Sequence, residues 1–461
     1  MDDDDRTAQA AVARDKQTEL AARGVRLVAL TWVDISGITR VKAVPLAKLE
    51  HAARWGVGAS PVFDSFLFND IAITGRHAPG VLGDLRLHPD LDRLTVLAAQ
   101  PGWAWAPADR YDQDGRPFPL DQRTLARVAT DRLAAAGFTA LVAFEVEWTI
   151  SPAGDPPDAE FRPAVIGPAY GYARVVGQSE YVRDVAVALA EQGVSVDQIH
   201  PEYAPGQFEV SVGAGDPVSA ADTAVLVRET IRAVSHKHGF RVSFAPKVVA
   251  GGVGNGGHVH LSIWQGERNV FAGGTGPFGL TEHAEAFTAG ILHRLPALLA
   301  VGAPSVGSYL RLVPQHWAGA FASWGLENRE AAVRLVTGVI GNRDRAANVE
   351  VKCFDQSANP YLAVAGLVFA GLAGVAGAER LPEPVDVDPG ALAADERERR
   401  EIRPLPRSLA DATDAFAADQ ALRADFGEAL SSTIVDVRRA ETAHFDGATE
   451  EEVVAAQRWV Y

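Results

Sequence analysis

The chain has 461 residues, 47% of them hydrophobic and 22% charged, with a formal net charge of −16 and one cysteine, Cys353. Those proportions are ordinary for a globular protein, and the length allows two domains, each with its own core. The acidic balance excludes a nucleic-acid binder built on a basic footprint, and the lone cysteine excludes an intrachain disulfide framework and fits a reducing cytoplasm.

The start, Met1-Asp-Asp-Asp-Asp-Arg6, is acidic where a secretion signal is basic and then apolar. Residues 1 to about 22 are polar and Ala-rich and read as a helix. Val25 to Val33 reads as a strand, Asp34-Ile-Ser-Gly37 as a turn and Thr39 to Pro45 as the partner strand. Leu85 to Pro89 and Thr95 to Ala98 are further short strands. Pro101 to Pro119, rich in Pro, Gly, Trp and Asp, reads as a boundary dividing residues 1–112 from 113–461.

Asp121-Gln-Arg-Thr124 opens a helix running to about Ala136, where Gly137 ends it. Ala140 to Ile150 is a strand and Ser151 to Pro163 a polar loop. Tyr181 to Gln192 and Ala220 to Gly239 are amphipathic helices, and Thr281 to Gly302 is helical. Pro304 to Gly319 is irregular, as a mobile flap would be. Pro360 to Gly377 is a buried Ala/Gly helix, Ala391 to Arg403 a charged, solvated one, and Ser408 to Thr433 and Ile434 to Trp459 close the chain helically. No run reads as a membrane span, since the longest apolar one, Leu362 to Ala376, is short and rich in Gly and Ala.

The chemistry concentrates between His200 and Ser262. Glu202 and Glu209 flank a Pro205-Gly206 turn, and Phe208 to Val212 alternates like a strand. Val242 to Ala245 and His258 to Ile263 are strands joined by a glycine-rich loop, and the spacing of two puts His258 and His260 on one face. Upstream, Glu145 and Glu147 repeat that spacing inside an apolar run, where an unpaired carboxylate is costly. Glu350 does the same downstream. Glu145, Glu147, Glu202, Glu209, His258 and Glu350 therefore form one candidate cluster. Carboxylates with a single imidazole favour hard divalent cations, Mg²⁺ or Mn²⁺, and so many acids favour two or more ions.

Together these pieces resemble the type I glutamine synthetase superfamily along nearly the whole chain. The resemblance is carried by Glu145-Val-Glu147, Glu202 to Glu209, Pro246-Lys247 with Gly254 to His258, Arg311-Leu-Val-Pro314, Asn328-Arg329 through Arg334, and Val349-Glu350 through Pro360-Tyr361. It implies an α+β fold, with an N-terminal β-grasp domain and a catalytic domain whose curved antiparallel sheet is wrapped by helices. It implies ATP-dependent amide formation through a γ-glutamyl phosphate, and a ring homo-oligomer, commonly a dodecamer of two hexamers, with no nucleic acid or membrane as partner.

By the same resemblance, Glu147, Glu202 and Glu209 hold the glutamate-side ion, and Glu145, His258 and Glu350 the nucleotide-side ion. Arg329 and Arg334 match phosphate-binding arginines. Arg311 matches the contact to the glutamate α-carboxylate, Gly254 the glycine near its amino group, and His260 and Ser262 nucleotide-side contacts.

Three departures concern the nitrogen donor. The family's Asp-Gly-Ser-Ser loop reads Asp64-Ser-Phe-Leu67 here, keeping only Asp64 as a catalytic candidate. Trp317 stands where a flap glutamate takes a proton from ammonium, with His316 and Trp324 as candidate neighbours. Lys352 replaces an arginine, keeping the charge and losing the bidentate fork. Indole cannot act as a base, but it offers an aromatic face to an alkylammonium. The expected enzyme is therefore a γ-glutamyl-amine ligase, with ethanolamine or a similar small amine first and putrescine or a longer polyamine second. An ordinary ammonia-using synthetase is the alternative; an inactive structural relative is disfavoured because all six ligand positions are kept. No tyrosine lies between Tyr361 and Tyr461, so the tyrosyl-adenylylation of some relatives is not expected.

Overall fold

The computed structural model describes residues 3–156 and 160–461; residues 157–159 of the expected Ser151–Pro163 loop and the first two residues lie outside them. The chain opens with helix α1 (Asp3–Ala22), whose Asp3, Asp4 and Asp5 complement the positive end of the helix dipole and whose Ala10, Ala13 and Leu20 face inward. A small sheet follows, built from β1 (Leu27–Val33), β2 (Thr39–Pro45), then, after helix α2 (Leu49–Trp55), β3 (Val57–Ala59), β4 (Leu85–Pro89), β5 (Thr95–Val96) and β6 (Trp103–Tyr111). Its order is β2-β1-β6-β4-β3, with β5 on β6.

The stretch expected to be an irregular boundary thus contains β6, the longest strand of this sheet. Pro and Gly at its ends masked the alternation Trp103-Ala-Trp105-Ala, whose Ala104, Trp105 and Ala106 are buried. Pro107 is tolerated because it falls at the last pair of the parallel ladder with β1, opposite Thr31.

Helix α3 (Gln122–Ala135) starts on an Asp121 cap that accepts from the Thr124 N–H. β7 (Thr139–Pro152) is the spine of the second, nine-stranded sheet. After α4 (Tyr172–Gly177) and α5 (Ser179–Glu191) come β8 (Val196–Pro201), β9 (Gln207–Val212), helix α6 (Pro217–Lys237), β10 (Phe240–Ser243), β11 (Val259–Gln265) and β12 (Arg268–Asn269). Helices α7 (Glu282–Gly302) and α8 (Ser308–Arg311) lead to β13 (Phe321–Ala322), β14 (Trp324–Leu326), β15 (Val333–Val336), α9 (Arg343–Ala346), β16 (Asn348–Val351) and α10 (Pro360–Ala376). The sheet order is β14-β15-β16-β11-β7-β9-β8, antiparallel except between β14 and β15. Mixed sheets wrapped by helices make the fold α+β.

One detail of the spine positions everything else. Along one edge β7 pairs with β11 up to Phe144 and with β10 only from Thr149. The edge between is open, and the glycine-rich loop after β10 enters there, so that the Gly256 N–H reaches the Glu147 carboxylate at 2.8 Å. A Cβ on Gly256 would lie 2.6 Å from His258 Nε2 and 2.7 Å from Glu147 Oε1, so the approach requires glycine.

Helices α7 and α10 cross behind the sheet at the Gly290–Gly374 contact, where an added Cβ would meet the facing backbone at 2.7 Å. By length and composition α7 could cross a membrane; here it is a core helix, with Phe287, Ile291, Leu295 and Leu299 fully buried. The charged segment after α10 is more than a solvated helix. Helix α11 (Ala394–Arg399) sets Arg397 5.5 Å from the Phe321 ring, and β17 (Arg403–Pro404) pairs with β13. The two long closing helices expected are four: α12 (Leu409–Ala418), α13 (Gln420–Phe426), α14 (Glu428–His444) and α15 (Glu450–Gln457). Gly427, at φ +80°, makes a break that periodicity alone did not reveal.

Candidate active site

A cavity of about 730 Å³ opens over the β7–β9–β11–β16 face. Glu145 and Glu147 point into it from alternate positions of β7, Glu209 sits opposite Glu147 on β9, and Glu202 follows β8. His258 precedes β11, and Glu350 on β16 lies in register with His260 and Arg334.

The acids divide into two groups. In the first, His258 Nδ1 lies 2.8 Å from Glu145 and 3.2 Å from Glu350, and His260 Nε2 lies 3.2 Å from Glu145. Arg334 and Lys352 reach Glu350 at 2.9 and 3.0 Å. Burial would raise the Glu145 carboxyl, but bonds from His258 and His260 outweigh it and hold it well below the usual range. Burial would lower His260, yet Glu145 lifts it to about 9. Burial, with Lys352 nearby, brings His258 down to about 4.

In the second group, Glu147, Glu202 and Glu209 have no Lys or Arg ion pair among the described residues. His200 alone bridges two of them, at 3.6 Å from Glu202 and 3.3 Å from Glu209. Burial and then the charges of Glu209 and Glu202 push the Glu147 carboxyl up to about 8. A crowd of buried carboxylates left without a Lys or Arg ion pair to neutralise them among the described residues matches the chemistry of a divalent-cation site, and the oxygen-rich donor set fits a hard ion. The first group, with one or two imidazoles, fits a second.

Around the acids stand the candidates Gly254, Arg311, His316, Trp317, Arg329, Arg334 and Lys352, all lining the same cavity. Arg311, on α8, sets Nη2 3.0 Å from the Lys352 carbonyl and 3.2 Å from His258 Nε2, while its buried Nη1 has no partner among the described residues. A fixed guanidinium with a free donor suits a carboxylate ligand. Trp317 is half-exposed at the cavity mouth. His260 lies just behind the lining, through Glu145.

Three candidates are placed elsewhere. Asp64 is fully buried on a 3-10 turn (Pro61–Ser65), bonded to Arg110 at 2.5 Å and Gln122 at 2.7 Å. Within the chain its carboxylate is thus held in a buried ion pair, away from the cavity that the acids line. Ser262 lies outside the lining, its Oγ accepting from the Trp264 indole at 2.9 Å. Trp324 is packed against Phe278 with its N–H on the Pro382 carbonyl, and does not share the pocket of Trp317.

Sequence reasoning missed Tyr170, His200 and Tyr203, which also line the cavity. The Tyr170 hydroxyl donates to Glu202 at 2.5 Å, and its ring stacks on His200 at 5.1 Å. His200-x-Glu202 carried a usable signal, the same period-two spacing as Glu145-x-Glu147. Tyr170 sits in a Gly/Pro loop with no period to read.

A model of the glutamine synthetase catalytic domain matches residues 119–455. Among characterised proteins, a γ-glutamylpolyamine synthetase of Streptomyces coelicolor, GlnA3, is 54% identical over 445 residues, spanning 96% of this chain and 95% of its own. A glutamine synthetase of Thermotoga maritima is 31% identical over 427 residues, spanning 91% and 93%. Of solved structures, a novel glutamine synthase homolog superposes with a TM-score of 0.84 at 32% identity, over 95% of this chain and 99% of its own. GmaS in complex with ADP superposes at 0.81 and 27%, over 96% and 97%.

Proposed function

The chain belongs to the glutamine synthetase family, and from that premise we propose that it joins the γ-carboxylate of glutamate to an aliphatic di- or polyamine. Membership makes it a glutamate–amine ligase that uses ATP and divalent metal. The finer reading has two steps. A γ-carboxylate oxygen attacks the terminal phosphorus of ATP, giving γ-glutamyl phosphate and ADP. The amine nitrogen then attacks the acyl carbon, phosphate leaves, and the nitrogen gives up a proton.

Glu147, Glu202 and Glu209 would hold one cation, and Glu145, His258 and Glu350 another, Mg²⁺ or Mn²⁺ in each case. When bound, such ions neutralise phosphate charge. The chain's own groups do the rest. Arg311 offers its free donor to the glutamate α-carboxylate, beside Gly254. Arg329 and Arg334 face the phosphates, and Lys352 adds positive charge next to Glu350. Asp64, His316 or solvent takes the amine proton.

The observation that carries the amine reading is Trp317, half-exposed in the cavity where the family resemblance puts a proton-accepting glutamate. The similarity to a γ-glutamylpolyamine synthetase moves a polyamine ahead of ethanolamine, reversing the order read from sequence. The second reading, an ammonia-using synthetase, is favoured by the likeness to the Thermotoga protein. The ring oligomer and a cytoplasmic location are part of the same proposal. ADP release across ammonium, ethanolamine, putrescine and spermine tests it: the highest kcat/KM is expected for putrescine or spermine, and preference for ammonium over every amine would replace this reading with the second.

A further inference from the structure

We infer that the rings of Tyr203 and Trp317, the latter positioned by Glu330, form a subsite for the methylene chain of the amine. The inference rests on the amine-ligase reading and names the residues that would set chain-length preference.

Both rings line the catalytic cavity, yet 53% of Tyr203 and 52% of Trp317 remain exposed. They meet edge to face, with centroids 6.2 Å apart and an interplanar angle of 76°. Large rings left uncovered inside a cavity offer apolar surface to a ligand, and their faces suit an alkylammonium. Their place is specific. Tyr203 directly follows Glu202, and its own N–H donates to that carboxylate at 2.9 Å. The pair therefore stands beside the acid group, where a cationic nitrogen is favoured, and a chain running from that nitrogen would pass along the rings.

The backbone holds the indole there against its own preference. Gln315 and Trp317 both adopt left-handed backbone, at φ +65° and +53°, which non-glycine residues rarely take. Two contacts from outside the flap offset that strain. The Glu330 carboxylate, 8% exposed, accepts from the Trp317 N–H at 2.9 Å, and the Gln315 amide reaches Asp388 at 3.3 Å. Glu330 touches no reacting atom; it is a positioning residue.

The test is kcat/KM by ADP release for putrescine and for ammonium, taken as a ratio, in wild type, Tyr203→Ala, Tyr203→Phe, Trp317→Ala, Glu330→Ala and Glu330→Gln. Thermal melts accompany each variant, and the substituted rings are exposed. Losing the cover over about two methylenes should lower the ratio roughly tenfold in Tyr203→Ala and Trp317→Ala. Tyr203→Phe, which keeps the ring, should hold the wild-type ratio. Glu330→Ala should lower it and Glu330→Gln, whose amide oxygen still accepts the Trp317 N–H, should restore it. If wild type uses putrescine but the ratio stays within about twofold in both ring-to-alanine variants, the subsite is wrong and the ligase reading stands. If wild type uses ammonium alone, the ligase reading fails and takes the subsite with it.

Discussion

Replacing Glu147 with glutamine should make the metal-free protein more stable and abolish its activity. Glu147 is 7% exposed and crowded by Glu202 and Glu209, with no Lys or Arg ion pair among the described residues. Both of its hydrogen-bond donors, the Gly256 N–H and the Gln207 amide, meet the same oxygen, Oε2, at 2.8 and 3.0 Å. A glutamine can keep that oxygen as an acceptor and turn its NH₂ towards the neighbouring carboxylates. The folded-state pKa of about 8 lies above the ordinary value of 4.5. The folded protein therefore binds this proton more tightly than the unfolded chain, and stability falls as pH rises from about 4.5 through 8. At pH 8 to 9 that loss is on the order of 5 kcal/mol. With an unfolding entropy of about 2.1 cal/mol/K per residue, the whole chain loses roughly 1 kcal/mol per degree, so the variant's Tm should exceed wild type by about 5 °C without metal. With saturating Mg²⁺ the order should reverse, because wild type gains the binding energy and the variant does not. Thermal melts at pH 6 and pH 9, with and without Mg²⁺, and ADP release make the assay. A metal-free variant that melts below wild type at pH 9, or one that still turns over ATP, would refute the reasoning.

Glu209→Ala should also abolish Mg²⁺-dependent ATP turnover with the fold intact by circular dichroism; full activity would remove Glu209 from the metal set. Trp317→Glu should shift kcat/KM from putrescine towards ammonium by restoring a carboxylate at the flap, read from the same ADP assay. Asp64→Ala removes a partner from buried Arg110 and should cost about 3–5 kcal/mol, seen as a lower Tm; an unchanged Tm with a collapsed kcat would make the role of Asp64 catalytic alone. Incubation with a tyrosyl-adenylylating enzyme should leave the intact mass unchanged, since the region around Ala391 to Arg403 contains no tyrosine; an AMP adduct mapped there would contradict this.

Glu145, Glu147, Glu209 and Glu350 were legible because each breaks an apolar period-two pattern, and Glu202 because it flanks the Pro205-Gly206 turn; the register brings the breaks together, with Glu147 opposite Glu209 and His260 opposite Glu350. What period cannot carry was lost. The gap between β11 and β10 along β7 is a property of three strands at once, and no local run announces it. Trp103 to Tyr111 was misread because Pro and Gly outweighed its alternation. The buried setting of Asp64 was not legible either, because its partners Arg110 and Gln122 are distant in sequence. Tyr203 was visible beside Glu202, but its meaning depends on Trp317, more than a hundred residues later.

The central claim is that this site makes a γ-glutamyl amide from a polyamine. Wild-type protein incubated with glutamate, ATP, Mg²⁺ and an equimolar mixture of ammonium and putrescine, with products resolved by mass spectrometry, tests it most directly. γ-Glutamylputrescine formed in step with ADP, and exceeding glutamine, is the expected result; glutamine as the sole product would contradict it.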